Sequence, residues 1–256
     1  QQFLGETIPE IAYQKAGIIK HGIPVVVGPQ HEEALAVVEA EANKFGAPLI
    51  AFGQHWHVWE ERGRMVFQDE TGLLDLPLPN LRGAHQMANA GMAIAALRHL
   101  GFGEAACEGA VTKAYWPARM QRLANGPLVD MAGRAELWLD GGHNPAAGSA
   151  LAETLADMPD RPTHLICGML STKDVTGYLK TLAPHTQTLH AVAIPGETAT
   201  LSAEETQEAA ASVGMDAVVS NSVEEALADI VKTSPDARIL ICGSLYLAGV
   251  VLRENS

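Results

Sequence analysis

The stretch Asp140-Gly-Gly-His143-Asn144-Pro145 holds the densest chemistry in this sequence. An apolar run ends at Asp140, two glycines free the backbone for unusual angles, Asn144 suits a helix N-cap and Pro145 suits the first helical position. That order aims a helix N-terminus, with its free N–H groups and positive dipole end, at the C-terminal edge of a sheet. An anion site follows naturally, although the same residues also make an ordinary capped helix with an incidental Asp and His.

Two other stretches carry reactive side chains. In Arg82-Gly-Ala-His85-Gln86-Met-Ala-Asn89, His85 and Asn89 lie four apart and share a face near the start of a helix. Either this is the polar, solvent side of the helix, or the Asn89 amide reads a nucleotide base; spacing does not separate the two. Ala90, Gly91, Ala93, Ala95 and Ala96 then permit close packing. Lys15, in Tyr13-Gln-Lys-Ala-Gly-Ile-Ile-Lys20, lies on a short apolar helix that ends at a glycine. It is either a surface lysine with its stem on apolar neighbours, or an amine held neutral for modification or used to bind phosphate.

Other signals fail on context. Gly101-Phe-Gly103-Glu-Ala-Ala106 looks like a dinucleotide fingerprint, but it follows a helix and no acidic residue lies about 20 positions on. His55-x-His57 puts two imidazoles on one strand face with no third metal ligand nearby. No G-x-x-x-x-G-K-S or G-K-T loop occurs in these residues, so the chain as it stands cannot cradle a triphosphate in the P-loop manner.

The elements that must position these groups fall into two textures. Thr7 and Glu10 form a capping-box pattern and predict a helix over 8–18, followed by a strand at 23–28, a helix over 32–45 and a strand at 48–52, a βαβ unit. Alternation over 54–78, with turns near Arg62-Gly63 and Gly72, predicts an antiparallel meander, and helices follow at 83–100 and 104–114. Beyond Trp116-Pro117 the pattern becomes regular. Strands near 136–140, 163–167, 188–193, 216–219 and 238–242 alternate with helices near 146–157, 174–183, 203–213, 223–232 and 245–254. This predicts an α/β chain whose second half is a doubly wound, mostly parallel sheet, with a boundary near 116–124.

Composition narrows the partners. At 256 residues the chain is long enough for one or two cores. Its 17 basic and 30 acidic residues leave a net charge of −13, which repels phosphate backbones and anionic membrane surfaces, so neither nucleic acid nor a membrane is expected as a partner. Cys107, Cys167 and Cys242 form no C-x-x-C pair, and Cys167 and Cys242, inside apolar runs, read as small core residues in a reducing cytosol. No apolar run reaches the length of a membrane span, and the N-terminus lacks both signal-peptide character and a methionine, as expected of part of a longer chain.

Taken together, six ordered stretches resemble the folylpolyglutamate synthase/dihydrofolate synthase family of the Mur ligase superfamily. They are Phe3-Leu-Gly-Glu-Thr7 with Lys15-Ala-Gly-Ile-Ile-Lys20, Gly83-Ala-His-Gln-Met-Ala-Asn89, Trp116-Pro-Ala-Arg119, Asp140-Gly-Gly-His-Asn-Pro145, Gly168-Met-Leu-Ser-Thr-Lys173-Asp174, and Cys242-Gly-Ser-Leu-Tyr246. The resemblance implies that 1–118 is the later part of a P-loop ATPase domain and 119–256 a complete Rossmann-like domain, with the active site in the cleft between them and the P-loop upstream.

The implied chemistry is ATP-dependent addition of L-glutamate to folate or dihydropteroate through an acyl phosphate, with magnesium, by a cytoplasmic protein expected to be a monomer. By the same resemblance Lys15 is carbamylated and reaches magnesium as a carbamate, which requires a desolvated amine. Asn89 falls at the adenine, Arg119 at the phosphates and Asp140 at or near the ribose. His143 and Ser244 face the acyl phosphate and incoming glutamate. Lys173 either orients the glutamate carboxylate or is a solvent-facing structural lysine. Ala118 stands where the family usually has Gly, and Gln14 where an acidic residue is common. The alternatives are another Mur-type amino-acid ligase and a catalytically silent nucleotide- or glutamate-binding module.

Overall fold

The computed structural model describes residues 5–255, so Phe3 and Leu4 of the first matching stretch lie outside the described residues. Two compact units are present: one holds the residues up to Asn80 together with His85–Ala114, the other Leu81–Ala84 and the residues from Tyr115 on. The expected division at 118/119 thus lies a few residues beyond the observed one. Residues 115–118 are tied into the second unit, where Ala118 O accepts from Gly141 N and Tyr115 Oη from Gln121 Nε2.

In the first unit, α1 (Ile8–Ala16) is capped by Thr7, with the reciprocal Glu10 contact that makes a full capping box. β1 (Val25–Val27), α2 (Glu32–Lys44) and β2 (Leu49–Ala51) make the predicted βαβ unit, the two strands pairing in parallel. β3 (Trp56–Glu61), β4 (Arg64–Asp69) and β5 (Gly72–Leu76) form the antiparallel meander. It packs on α3 (Ala84–His99) and α4 (Glu104–Thr112) around Trp56, Phe67, Ile94 and Cys107. A Cβ at Gly91 would lie 2.6 Å from the Trp56 ring, so the small residues of α3 are what let the helix approach the meander. His55 precedes the strand, and its Nδ1 accepts from Ala51 N.

The second unit opens with two elements that the sequence pattern did not show, β6 (Gln121–Arg122) and α5 (Pro127–Ala132). β7 (Glu136–Leu139), α6 (Pro145–Ala156), β8 (Thr163–Cys167), α7 (Val175–Leu182), β9 (Thr188–Ala191), α8 (Ala203–Ser212), β10 (Ala217–Val219), α9 (Val223–Thr233), β11 (Arg238–Cys242) and α10 (Leu245–Glu254) follow. The sheet order is β10-β9-β8-β11-β7-β6, parallel throughout except for β6 against β7.

Both faces of the central strands β7, β8, β9 and β11 are covered, which is why they read as continuous apolar runs instead of alternating ones. Leu137, Leu139, Ile239 and Ile241 pack toward α5, α9 and α10, whereas Trp138, Leu165, Leu240 and Cys242 pack toward α6, α7 and α8. The chain runs outward from β7 to β10 with its crossovers on one face, then returns to place β11 between β7 and β8 with α9 on the other. Right-handed crossovers require that change of face when the direction reverses. The loops after β7 and β11, adjacent strands, therefore leave to opposite faces and open a crevice at their C-terminal ends.

Beneath α9 two histidines are buried on the adjacent strands β8 and β9, two positions out of register. His164 Nδ1 meets Thr188 Oγ1 and its Nε2 has no partner, while His190 Nδ1 meets Ser220 Oγ. Burial holds both below the ordinary value of 6.5; the His190 neighbour adds to this at His164, and Asp229 and Asp216 oppose it at His190. A depressed histidine leaves the unfolded chain binding more protons, so stability is full above pH 6.5 and falls as pH drops through the interval below it, by at most about 1.4 kcal/mol per pH unit for each group. Urea denaturation between pH 7.5 and 5 should show this loss before the carboxylates titrate, and His164→Val should flatten it.

Candidate functional site

The crevice at the sheet edge is built around the Asp140 carboxylate, which is 6% exposed. Its Oδ1 accepts from Gly142 N at 2.6 Å and its Oδ2 from Met120 N at 2.8 Å, so one side chain binds the β7–α6 loop to the turn that precedes β6. Gly141 N donates to Ala118 O, and Ala118 N donates to Gln121 Oε1, closing the same turn from its other side.

Arg119 is the product of that arrangement. It lies between Ala118 at φ 55° and Met120 at φ 39°, two side-chain-bearing residues in the left-handed region, each costing about 1–2 kcal/mol relative to a right-handed conformation. Both flanking side chains are buried, and Arg119 between them is only partly so. Among the described residues Arg119 has no carboxylate partner, which leaves its charge for an external anion. The left-handed angle at Ala118 gives a physical reason for glycine at this position. A sequence pattern does not reveal this strain.

His143 follows on the same loop. Its Nδ1 lies 2.9 Å from Gly141 O, and a carbonyl can only accept, so the proton sits on Nδ1 and the Nε2 lone pair faces away from that bond. Asn144 caps α6 through Ala147 N, with Pro145 in the first turn. A Cβ at Gly141 would fall 2.3 Å from Leu245 Cδ2, so glycine there lets the loop lie against the start of α10.

Ser244 caps α10, accepts from Tyr246 N and is 3% exposed. Lys173 lies in the loop after β8, half-buried, without an ion pair among the described residues. Asp140, His143, Ser244, Lys173 and Arg119 are thus brought to one edge of one sheet. Sequence reasoning missed Arg82, whose guanidinium lies 5.2 Å from the Trp138 ring centroid; an exposed arginine carries no signal of its partner until the fold supplies the indole.

Lys15 and Asn89 belong to the first unit. Asn89 is exposed on α3, and its Nδ2 donates to Gln86 Oε1. Lys15, in the last turn of α1, is exposed at the mouth of a cavity of about 340 Å³ lined by Ile11, Ile18, Val26 and Met92. The desolvated surroundings expected for it are not supplied by the described residues, because α1 buries only Ala12 and Ala16. No group of three His, Cys, Asp or Glu able to hold a metal occurs among the described residues, and no described helix is long and apolar enough to cross a membrane.

Residues 118–245, half of the sequence, match the model of the family described as "Mur ligase, glutamate ligase domain". The chain belongs to the Mur ligase family. It is 31% identical to the folylpolyglutamate synthase of Lacticaseibacillus casei over 98% of this chain and 58% of that protein. It is 33% identical to the dihydrofolate synthase/folylpolyglutamate synthase of Bacillus subtilis over 59% of this chain and 36% of that protein. The E. coli FolC structure in complex with DHPP and ADP superposes with a TM-score of 0.84 at 25% identity, covering 98% of this chain and 57% of that one. A Mycobacterium tuberculosis folylpolyglutamate synthase complexed with ADP and AMPPCP gives 0.80 at 27% identity, over 100% and 61%. This Mur ligase chain therefore spans 57–61% of the solved relatives it matches.

Replacing Asp140 with Asn keeps the shape but sets an amide N–H against one of the two backbone N–H donors. Asp140→Asn should lower the stability of the chain by about 2 kcal/mol in urea denaturation, with faster hydrogen exchange at Met120 or Gly142.

Proposed function

We propose that the intact protein is an ATP-dependent ligase that joins L-glutamate to a carboxylate of folate, and also of dihydropteroate, in the cytoplasm and as a monomer. The observation that carries this reading is Arg119, without a carboxylate partner and on a constrained turn, at the same strand edge as two glycine-bearing helix starts, in a chain that matches a glutamate ligase domain. Relatives solved with ADP support a nucleotide as the anion, and free, buried cysteines accord with a reducing compartment.

In this reading Asn89 meets the adenine and Arg119 the phosphates. The carboxylate of the folate substrate attacks the γ-phosphorus, ADP leaves, and the amine of glutamate then attacks the acyl carbon and expels phosphate. Negative charge gathers in both steps, and Arg119, preset by its turn, stabilises it without reorganising. The amine must lose a proton as it attacks. The outward Nε2 of His143 is the acceptor we assign to that proton. Ser244 and Lys173 orient the glutamate. Asp140 accepts one backbone N–H at each oxygen and so holds the turn that carries Arg119, and in this reading its remaining acceptor capacity meets the ribose.

Magnesium is a hard cation that needs oxygen donors, and the described residues offer no such cluster. A free lysine amine does not fit it. Lys15 as a carbamate would present the right oxygens, and in that form it would be one ligand of the ion, whose chemistry is to neutralise phosphate charge.

Assayed at full length with ATP, glutamate and each pterin substrate, the protein should form a glutamyl amide and one ADP per amide. Lys15→Ala should lower turnover more than about 100-fold with an unchanged melting temperature; near-normal turnover would remove the carbamate role. Arg119→Ala should lower kcat/KM for ATP by about 100-fold.

A further inference from the structure

Between His85 and Asn89 on α3 lies Gln86, and it is 6% exposed while both neighbours are exposed. A buried glutamine with both ends of its amide hydrogen-bonded avoids the free-energy cost of unpaired buried polar atoms. Its Oε1 accepts from Asn89 Nδ2 at 3.1 Å, and its Nε2 lies 2.9 Å from His85 Nε2.

The three side chains form a directional relay. Because Oε1 of Gln86 is occupied by Asn89, the end that faces His85 is the amide nitrogen, which can only donate. His85 Nε2 therefore accepts, and the His85 proton is on Nδ1. If Asn89 turned its amide over, its Oδ1 would oppose Gln86 Oε1. Relieving that clash would require Gln86 to turn as well and the His85 proton to move to Nε2, so three groups would have to change together. The orientation of the Asn89 amide is thus coupled to that of Gln86.

We propose that Gln86 is a positioning residue that sets the nucleobase specificity of this protein by locking the Asn89 amide in one orientation; this rests on the assignment of Asn89 to the base. In the locked state Asn89 keeps Oδ1 and its second Nδ2 hydrogen for a ligand. An acceptor beside a donor matches the N6 amine and N7 of adenine, whereas guanine offers acceptors at both O6 and N7. An amide free to turn over loses that discrimination in part, because the wrong orientation is no longer penalised.

The test is the ratio of kcat/KM for ATP to that for GTP in the full-length protein, measured for wild type, Gln86→Leu, Gln86→Glu and Asn89→Ala, with melting temperatures alongside. Gln86→Leu should narrow the ratio about tenfold, chiefly through KM for ATP. Gln86→Glu should restore most of it, since a carboxylate accepts from Asn89 Nδ2, cannot donate, and accepts from His85 once the imidazole carries its proton on Nε2. An unchanged ratio in Gln86→Leu, with Asn89→Ala collapsing it, would overturn the proposal and leave the Asn89 assignment standing. The same holds if Gln86→Leu lowers kcat and melting temperature while sparing the ratio, as a structural role would. A ratio untouched by Asn89→Ala would overturn the base assignment itself.

Discussion

The Asp140 carboxylate is the constraint on which the rest of the second unit's edge depends. A strand end, a glycine loop and a strained turn meet at one buried anion, and that anion is satisfied by two backbone N–H groups from different segments. A carboxylate so buried is costly unless hydrogen-bonded, and once bonded it is rigid. The left-handed angles at Ala118 and Met120 persist because this bond and the Gly141–Ala118 bond over-determine the turn. The backbone of Arg119 is fixed between them.

This changes the meaning of the overall charge. A net charge of −13 works against every anion that the proposed reaction uses. Attraction must be local, and the fold makes it so at the sheet edge. Arg134 is paired with Asp236 and Arg238 with Glu136, whereas Arg119 and Lys173 have no carboxylate partner among the described residues. Burial raises Glu136, but the Trp138 indole N–H and the nearby Arg161, Arg122 and Arg238 outweigh it and hold the carboxyl below its ordinary range.

Much of this fold was legible in the residues because its elements carry strong local signals. The capping pair Thr7 and Glu10, the apolar runs ending at Asp140 and Cys242, and Asn144-Pro145 each appear where the sequence places them. α5 and β6 were not legible: one is six residues long, the other two, and both depend on contacts distant in sequence, such as Leu128 N to Asn255 Oδ1. The site was legible as residue types, but their contacts were not. One of the backbone N–H groups that bind Asp140 comes from 20 residues away, and the burial of Gln86 is invisible in a polar stretch.

The claim that Asp140 works by holding Arg119 is tested most directly by a double-mutant cycle on ADP affinity in the full-length protein. Titration would compare wild type, Asp140→Asn, Arg119→Ala and the double variant. If the clamp acts through the arginine, the double variant binds ADP no more weakly than Arg119→Ala alone. Fully additive losses would contradict the account, since the two residues would then meet the nucleotide independently.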